Sequence, residues 1–269
     1  MPVLIPWPEF FYESLMSMFI PGLTSITFRA LSCQEIIDLM IKSGLASIEW
    51  GGDVHVPHGD LARADEVMRM TADNGLRTSS YGSYYHCGLD EKKVDFKKIL
   101  ETALALKAPL IRVWAGRTGS REISRAQREA VVVDSRRVAD LAFQAGIRIG
   151  FEFHRGSLTD DAGETMKLIG EIGSPNVGTY WQPPIGMSFR ESCASLRTVI
   201  PHLQNIHVFY WGGPLVRRML LAEGMEPWRG YLKIAGQSPG DHHVLLEFVQ
   251  NDDPESFHAD ARALKKLIT

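Results

Sequence analysis

A chain of 269 residues with 45% hydrophobic composition is long enough to close one large α/β core, and barrels of alternating strands and helices reach this length as a single unit. A formal net charge of -3 leaves no basic face for nucleic acid or anionic lipid, so the expected partner is a small molecule. Cys33, Cys87 and Cys193 are widely spaced with no CxxC, which excludes a disulfide framework and a thiolate zinc site and points to a reducing, cytoplasmic compartment.

The first 21 residues read as an apolar extension carrying Trp7, Phe10, Phe11 and Phe19. With no Lys or Arg before Arg29, and with Pro6, Pro8, Glu9 and Glu13 breaking it, this segment lacks the pattern of a signal peptide. No later run is long enough to span a bilayer. The extension is expected to bury itself on the barrel or on a neighbouring subunit, which makes a homo-oligomer a reasonable expectation.

Strand and helix then alternate. Leu23 to Phe28 reads as a strand, Cys33 to Lys42 as an amphipathic helix closed by Gly44, and Ala46 to Trp50 as a strand before a Gly-rich loop. Leu61 to Asn74 is a helix, Leu76 to Tyr81 a strand followed by the aromatic loop Gly82 to His86, and Val94 to Leu106 a helix. Leu110 to Trp114 is extended, Arg125 to Ala145 helical, and Ile147 to Phe153 extended. The second half adds a helix from Ala162 to Ile172, the strand Val177 to Trp181, a helix over Glu191 to Val199 and the strand Asn205 to Tyr210. A long connection, 211–243, with an expected helix over Val216 to Glu223, precedes the strand Val244 to Val249 and a final helix from Glu255 to Leu267. Eight strand–helix units without a composition break predict one (β/α)8 TIM barrel over 1–269.

In such a barrel the reactive groups lie at the carboxyl ends of the strands. Glu49, Glu152, Gln182, His207 and Glu247 all fall there. A carboxylate inside an apolar run loses its hydration on folding and needs a cation or donor to compensate. Two carboxylates, one imidazole and one amide oxygen, from Glu152, Glu247, His207 and Gln182, form a ligand set for one divalent metal ion (Mn, Mg, Co, Zn or Fe). Pairing of the two glutamates with Arg112 in a structural network is the alternative, and Arg112 is expected to meet Glu49 inside the barrel. Glu49, His55, Tyr85, His86, Trp114 and His154 are candidate pocket-wall residues for substrate binding, with Trp50 and Trp181 offering further apolar faces. Arg217 and Arg218 read first as a solvated face of a surface helix, and as the alternative they clamp an anionic group.

The chain resembles the sugar phosphate isomerase/epimerase family of the xylose isomerase-like TIM barrels. The resemblance runs from about Ser25 to the C-terminus. It is carried by Ile48-Glu49-Trp50-Gly51, Ile111-Arg112-Val113-Trp114-Ala115-Gly116, Phe151-Glu152-Phe153-His154, Asn176-Val177-Gly178, Ile206-His207-Val208 and Leu246-Glu247-Phe248. It implies a metal held by Glu152, Gln182, His207 and Glu247, with Gln182 standing where the family has Asp and followed by Pro183-Pro184-Ile185. It also implies an isomerase or epimerase acting on a sugar or hydroxy-keto acid, in which Glu152 and Glu247 move a proton beside a carbonyl through a cis-enediolate. A dehydratase sharing that first step, or a metal-free sugar-binding barrel in which Gln182 bonds to Glu152, are the alternatives. The apurinic endonucleases of this superfamily are set aside, because Trp114 stands near an expected zinc histidine and the acidic chain lacks a DNA face.

Overall fold

The computed structural model describes residues 19–90, 93–212 and 216–269. In chain order the strands are β1 (Phe19–Thr24), β2 (Ser47–Gly51), β3 (Arg77–His86), β4 (Leu110–Trp114), β5 (Arg148–Phe151), β6 (Val177–Trp181), β7 (Leu203–Val208), β8 (Tyr210–Gly212), β9 (Arg217–Met219) and β10 (His242–Leu246). All but β8 and β9 pair into a closed parallel barrel in the order β1-β10-β7-β6-β5-β4-β3-β2, while β8 and β9 form an antiparallel hairpin beside it. The helices are α1 (Cys33–Ser43), α2 (Leu61–Asp73), α3 (Phe96–Ala105), α4 (Arg125–Gln144), α5 (Ala162–Ile172), α6 (Phe189–Val199), α7 (Met225–Ala235) and α8 (Pro254–Ile268). The expected (β/α)8 architecture is the observed one.

Local chemistry fixes the helix starts. Ser32, Ser124 and Ser188 each accept from the third backbone N–H of their helix while Glu35, Gln127 and Glu191 reach back, a reciprocal cap that satisfies two otherwise orphan donors. The side-chain alternation of the strands then sorts large residues between two layers. Trp50, bonded to Thr71 of α2, and Trp181, bonded to Ser195 of α6, point outward to the helices, whereas Leu110, Tyr180 and Leu245 fill the interior.

Besides shifts of a few residues at other strand ends, four differences from expectation alter the path of the chain. The first strand is Phe19–Thr24, so Phe19 to Pro21, read as part of the extension, belong to the barrel; the extension up to residue 18 lies outside the described residues. Ser25–Phe28 is a buried 3-10 turn, since a short apolar run does not by itself distinguish strand from turn. The strand β3 continues through the aromatic segment to His86, with a register shift between Gly82 and Tyr85. The connection after β7 begins with the β8–β9 hairpin rather than a helix over 216–223; a 3-10 turn, Leu221–Gly224, and α7 follow. Among the described residues no helix is long and apolar enough to cross a membrane.

Candidate functional site

The site is built upward from a fully buried arginine. Arg112, central on β4, gives its Nε to Glu49 Oε1 of β2 at 2.8 Å and its Nη1 to Glu152 Oε2, just beyond β5. The second oxygen of Glu49 accepts from Ser80 Oγ and from the Tyr180 hydroxyl, each at 2.9 Å, and Asn205 donates to Tyr180 at 3.2 Å. Burial alone would lower the Arg112 pKa, but Glu152 and Glu49 outweigh it and hold the guanidinium charged. Two glycines make the space. A methyl on Gly82 would lie 2.8 Å from Arg112 Nη2 and 2.9 Å from Glu49 Oε1, and one on Gly150 would meet the Tyr180 ring at 2.7 Å.

Above this layer, ligand atoms of Glu152, His207 and Glu247 lie within 4.8 Å of one another, all three residues buried. His207 Nδ1 is 3.2 Å from Gln182 Oε1 and 3.5 Å from Glu247 Oε2, so this nitrogen faces both neighbouring oxygen atoms. Burial works to lower the His207 pKa, but Glu247, Glu49 and Glu152 together raise it. Burial conversely works to raise the Glu247 pKa, and the nearby His207, with Arg112 and His154, brings it below the usual carboxylate range. Gln182 meets His207, not Glu152. His207 Nε2 is buried with no hydrogen-bond partner among the described residues, its nearest charged atom being Glu49 Oε1 at 3.9 Å.

These residues open into a cavity of about 690 Å³ whose wall includes Glu152, Gln182, Glu247 and His154, with Phe209, Trp211 and Phe248 on its apolar side. His154 Nδ1 lies 2.6 Å from the Arg155 carbonyl and therefore donates, leaving Nε2 as the free ring nitrogen. Trp114 packs on the His154 ring at 4.3 Å and on His86 at 5.1 Å. His86 is itself held by Gly116 O at 3.1 Å.

The structure brings together Glu152, Gln182, His207, Glu247 and His154, with Trp114 behind His154. Other expected wall residues lie elsewhere. Glu49 is beneath the floor, held by Arg112. His55 bonds to Ser25 Oγ at 2.9 Å and Leu31 O at 3.2 Å, fixing the loop before α2. The Tyr85 hydroxyl points outward to Asp134 of α4 at 2.9 Å. Arg217 is exposed and off the cavity wall. Its neighbour Arg218, paired with Asp252, covers Phe248 at 4.6 Å and Trp211 at 5.9 Å. Trp50 and Trp181, facing the helices, offer nothing to a ligand. Sequence reasoning missed Tyr84, which the β3 irregularity places at φ 55°, its ring 5.0 Å from the Arg112 guanidinium. Burial pushes its phenol up to about 12. It also missed Arg121, Asp160 and Glu164 on the cavity rim, whose place in the loops after β4 and β5 and at the start of α5 was the available signal.

Comparison with known proteins agrees with the barrel fold. A family model described as xylose isomerase-like TIM barrel matches residues 37–267. A 3-dehydroshikimate dehydratase of Bacillus anthracis is 26% identical over 167 residues, a match spanning 58% of this chain and 59% of that relative's length. The crystal structure of the probable 3-DHS dehydratase AsbF, involved in petrobactin synthesis in the same organism, superposes with a TM-score of 0.77 at 20% identity, covering 93% of this chain and 99% of that one. A D-psicose 3-epimerase of Clostridium cellulolyticum, solved with D-tagatose, gives 0.67 at 15% identity over 92% and 97%. A barrel of Mycobacterium smegmatis in complex with magnesium gives 0.66 at 13% identity over 96% and 97%.

Proposed function

The chain belongs to the xylose isomerase-like TIM barrel family, and from that premise we propose that it is a metal-assisted enzyme that removes a proton beside the carbonyl of a small hydroxylated keto acid and expels water from the neighbouring carbon. The observation that carries this is the inequality of the two carboxylates. One Glu152 oxygen is taken by Arg112, whereas Glu247 faces the cavity with His207 as its one ion-pair partner among the described residues. One available base suits elimination; epimerisation by two opposed bases asks for two. The similarity to the 3-dehydroshikimate dehydratase and to the AsbF structure supports the same choice.

The donor set fits a divalent ion: two buried carboxylates and an imidazole converge within 4.8 Å, and the Gln182 oxygen lies beside them. Bound by Glu152, Gln182, His207 and Glu247, such an ion would polarise the substrate carbonyl and make the adjacent C–H more acidic. Glu247 takes the proton as the C–H bond breaks. His154, its ring turned by the Arg155 carbonyl, holds or releases a proton at Nε2 toward the departing hydroxyl, which leaves as water. Arg121 and Arg155 at the rim offer guanidinium groups to the substrate carboxylate. The apolar wall of Phe209, Trp211 and Phe248 excludes water from the reacting carbons.

Epimerisation is the second reading, favoured by the presence of two carboxylates, Glu152 and Glu247, on the wall of one cavity and by the psicose epimerase likeness. Protein supplied with Mn, Mg or Co and given 3-dehydroshikimate is expected to yield the aromatic hydroxybenzoate left by dehydration, read by ultraviolet absorbance. Exchange of a ketose C–H for deuterium in heavy water without elimination would instead assign an epimerase.

A further inference from the structure

The loop between β6 and α6 has a second side. A groove of about 270 Å³ shares Pro183, Pro184, Ile185, Met187, Phe209 and Trp211 with the wall of the catalytic cavity. Beyond that shared wall it is floored by an aromatic cluster in which Tyr231 stands 5.3 Å from Phe189 and 5.4 Å from Trp228. On the rim, Ile185, Met187 and Phe189 are 41%, 44% and 50% exposed, an apolar edge that water would otherwise meet. The groove has room for one ring. Its thirteen lining residues are fewer than the roughly 20–30 a protein partner engages on each side of a stable interface.

We infer that this groove is a subsite for an apolar, ring-sized substituent carried by the substrate next to its hydroxylated part. The inference rests on the proposal that the adjoining cavity is the reaction centre, and it narrows the substrate class to acylated or aryl-substituted hydroxy acids. The groove adjoins the cavity across the loop from Pro183 to Met187, so a substituent that passes over the edge of that loop meets the groove while the hydroxylated part lies against Glu152 and Glu247.

Quinate and its O-benzoyl ester, neither of them a ketone, test this by calorimetric binding to the full-length protein. Burying about 100 Å² of phenyl surface corresponds to about tenfold tighter binding or more, which is the expected advantage of the ester over quinate. Phe189→Ala and Phe189→Glu, at a half-exposed groove position outside the catalytic cavity wall, are each expected to reduce that advantage below about threefold while leaving quinate affinity unchanged. Equal affinity of the two compounds for the wild type, no measurable binding of the ester, or an advantage that survives both substitutions would overturn the subsite. So would a concentration-dependent mass in sedimentation equilibrium that both substitutions abolish, since a second copy would then be the occupant. An ester advantage lost in the variants, alongside no turnover of any keto acid, would uphold the groove and sink the proposed reaction instead.

Discussion

At the scale of single residues, the site depends on a buried charge balance centred on Arg112. Replacing Arg112 with Met leaves Glu49 and Glu152 buried without their cation, and urea denaturation is expected to show a loss of about 3–5 kcal/mol. The opposite change is Gln182→Asp, which adds a negative charge beside His207 and Glu247. It is expected to tighten binding of a divalent metal in calorimetry, and unchanged affinity would remove Gln182 from the ligand set. The proposed ligand residues drew notice in the sequence because each polar group sits in or at the end of an apolar strand and so must have a partner. The partner of Glu152 was less legible. Arg112 was expected to meet Glu49, and it does; its second grip on Glu152, weighed in the sequence only as the structural alternative, depends on how far β4 and β5 are offset. Strand alternation could have corrected Trp50, Tyr85 and Trp181. Glu49 and Trp50 are consecutive and must face opposite sides, so a buried inward Glu49 sends Trp50 to the helices.

Among the elements, the irregularity in β3 matters most. The register shift between Gly82 and Tyr85 brings Tyr84 over Arg112, and Gly82 leaves the space in which Arg112 and Glu49 meet. Gly82→Ala is expected to cost about 1–3 kcal/mol from overpacking, and turnover should fall with it as the Arg112–Glu49 contact is displaced. A second element device lies where α8 meets the turn before α7. Asp260 accepts from the Leu221 N–H at 2.7 Å, and burial pushes its carboxyl up to about 6 against that hydrogen bond. In the unfolded chain the same group ionises near its ordinary value of about 3.9. Between these values the folded state holds a proton that the unfolded state has lost, so this group's contribution to stability falls as pH rises through the window and stays lower above it. Asp260→Asn keeps an acceptor and removes the titration. Its stability relative to wild type is expected to grow between about pH 4 and pH 7 in urea midpoints, and parallel curves would contradict the assignment. Helices were the most legible elements, since caps and apolar faces are local; the β8–β9 hairpin was not, because Arg217 to Met219 pairs only with Tyr210 to Gly212 and carries no strand pattern of its own.

At the scale of the whole molecule, ring closure gathers groups far apart in sequence. Glu152, Gln182, His207 and Glu247 come from four neighbouring barrel strands, β5, β6, β7 and β10, whose carboxyl ends share one rim. That much followed from counting strand–helix units. What did not follow was which loop side chains reach the cavity, because the βα loops are not periodic and their conformation depends on packing against one another. The central claim is that this rim binds one divalent ion and uses Glu247 to move a proton. It is tested most directly by titrating Mn into chelator-stripped wild type and into the Glu152→Gln and Glu247→Gln variants by calorimetry. Saturable one-to-one binding in wild type, weakened at least about tenfold in both variants, is the predicted result. A stripped wild type that takes up no Mn, Mg or Co, or variants that bind as tightly as wild type, would contradict it and leave Arg112 and Glu152 as a structural ion pair in a barrel without metal chemistry.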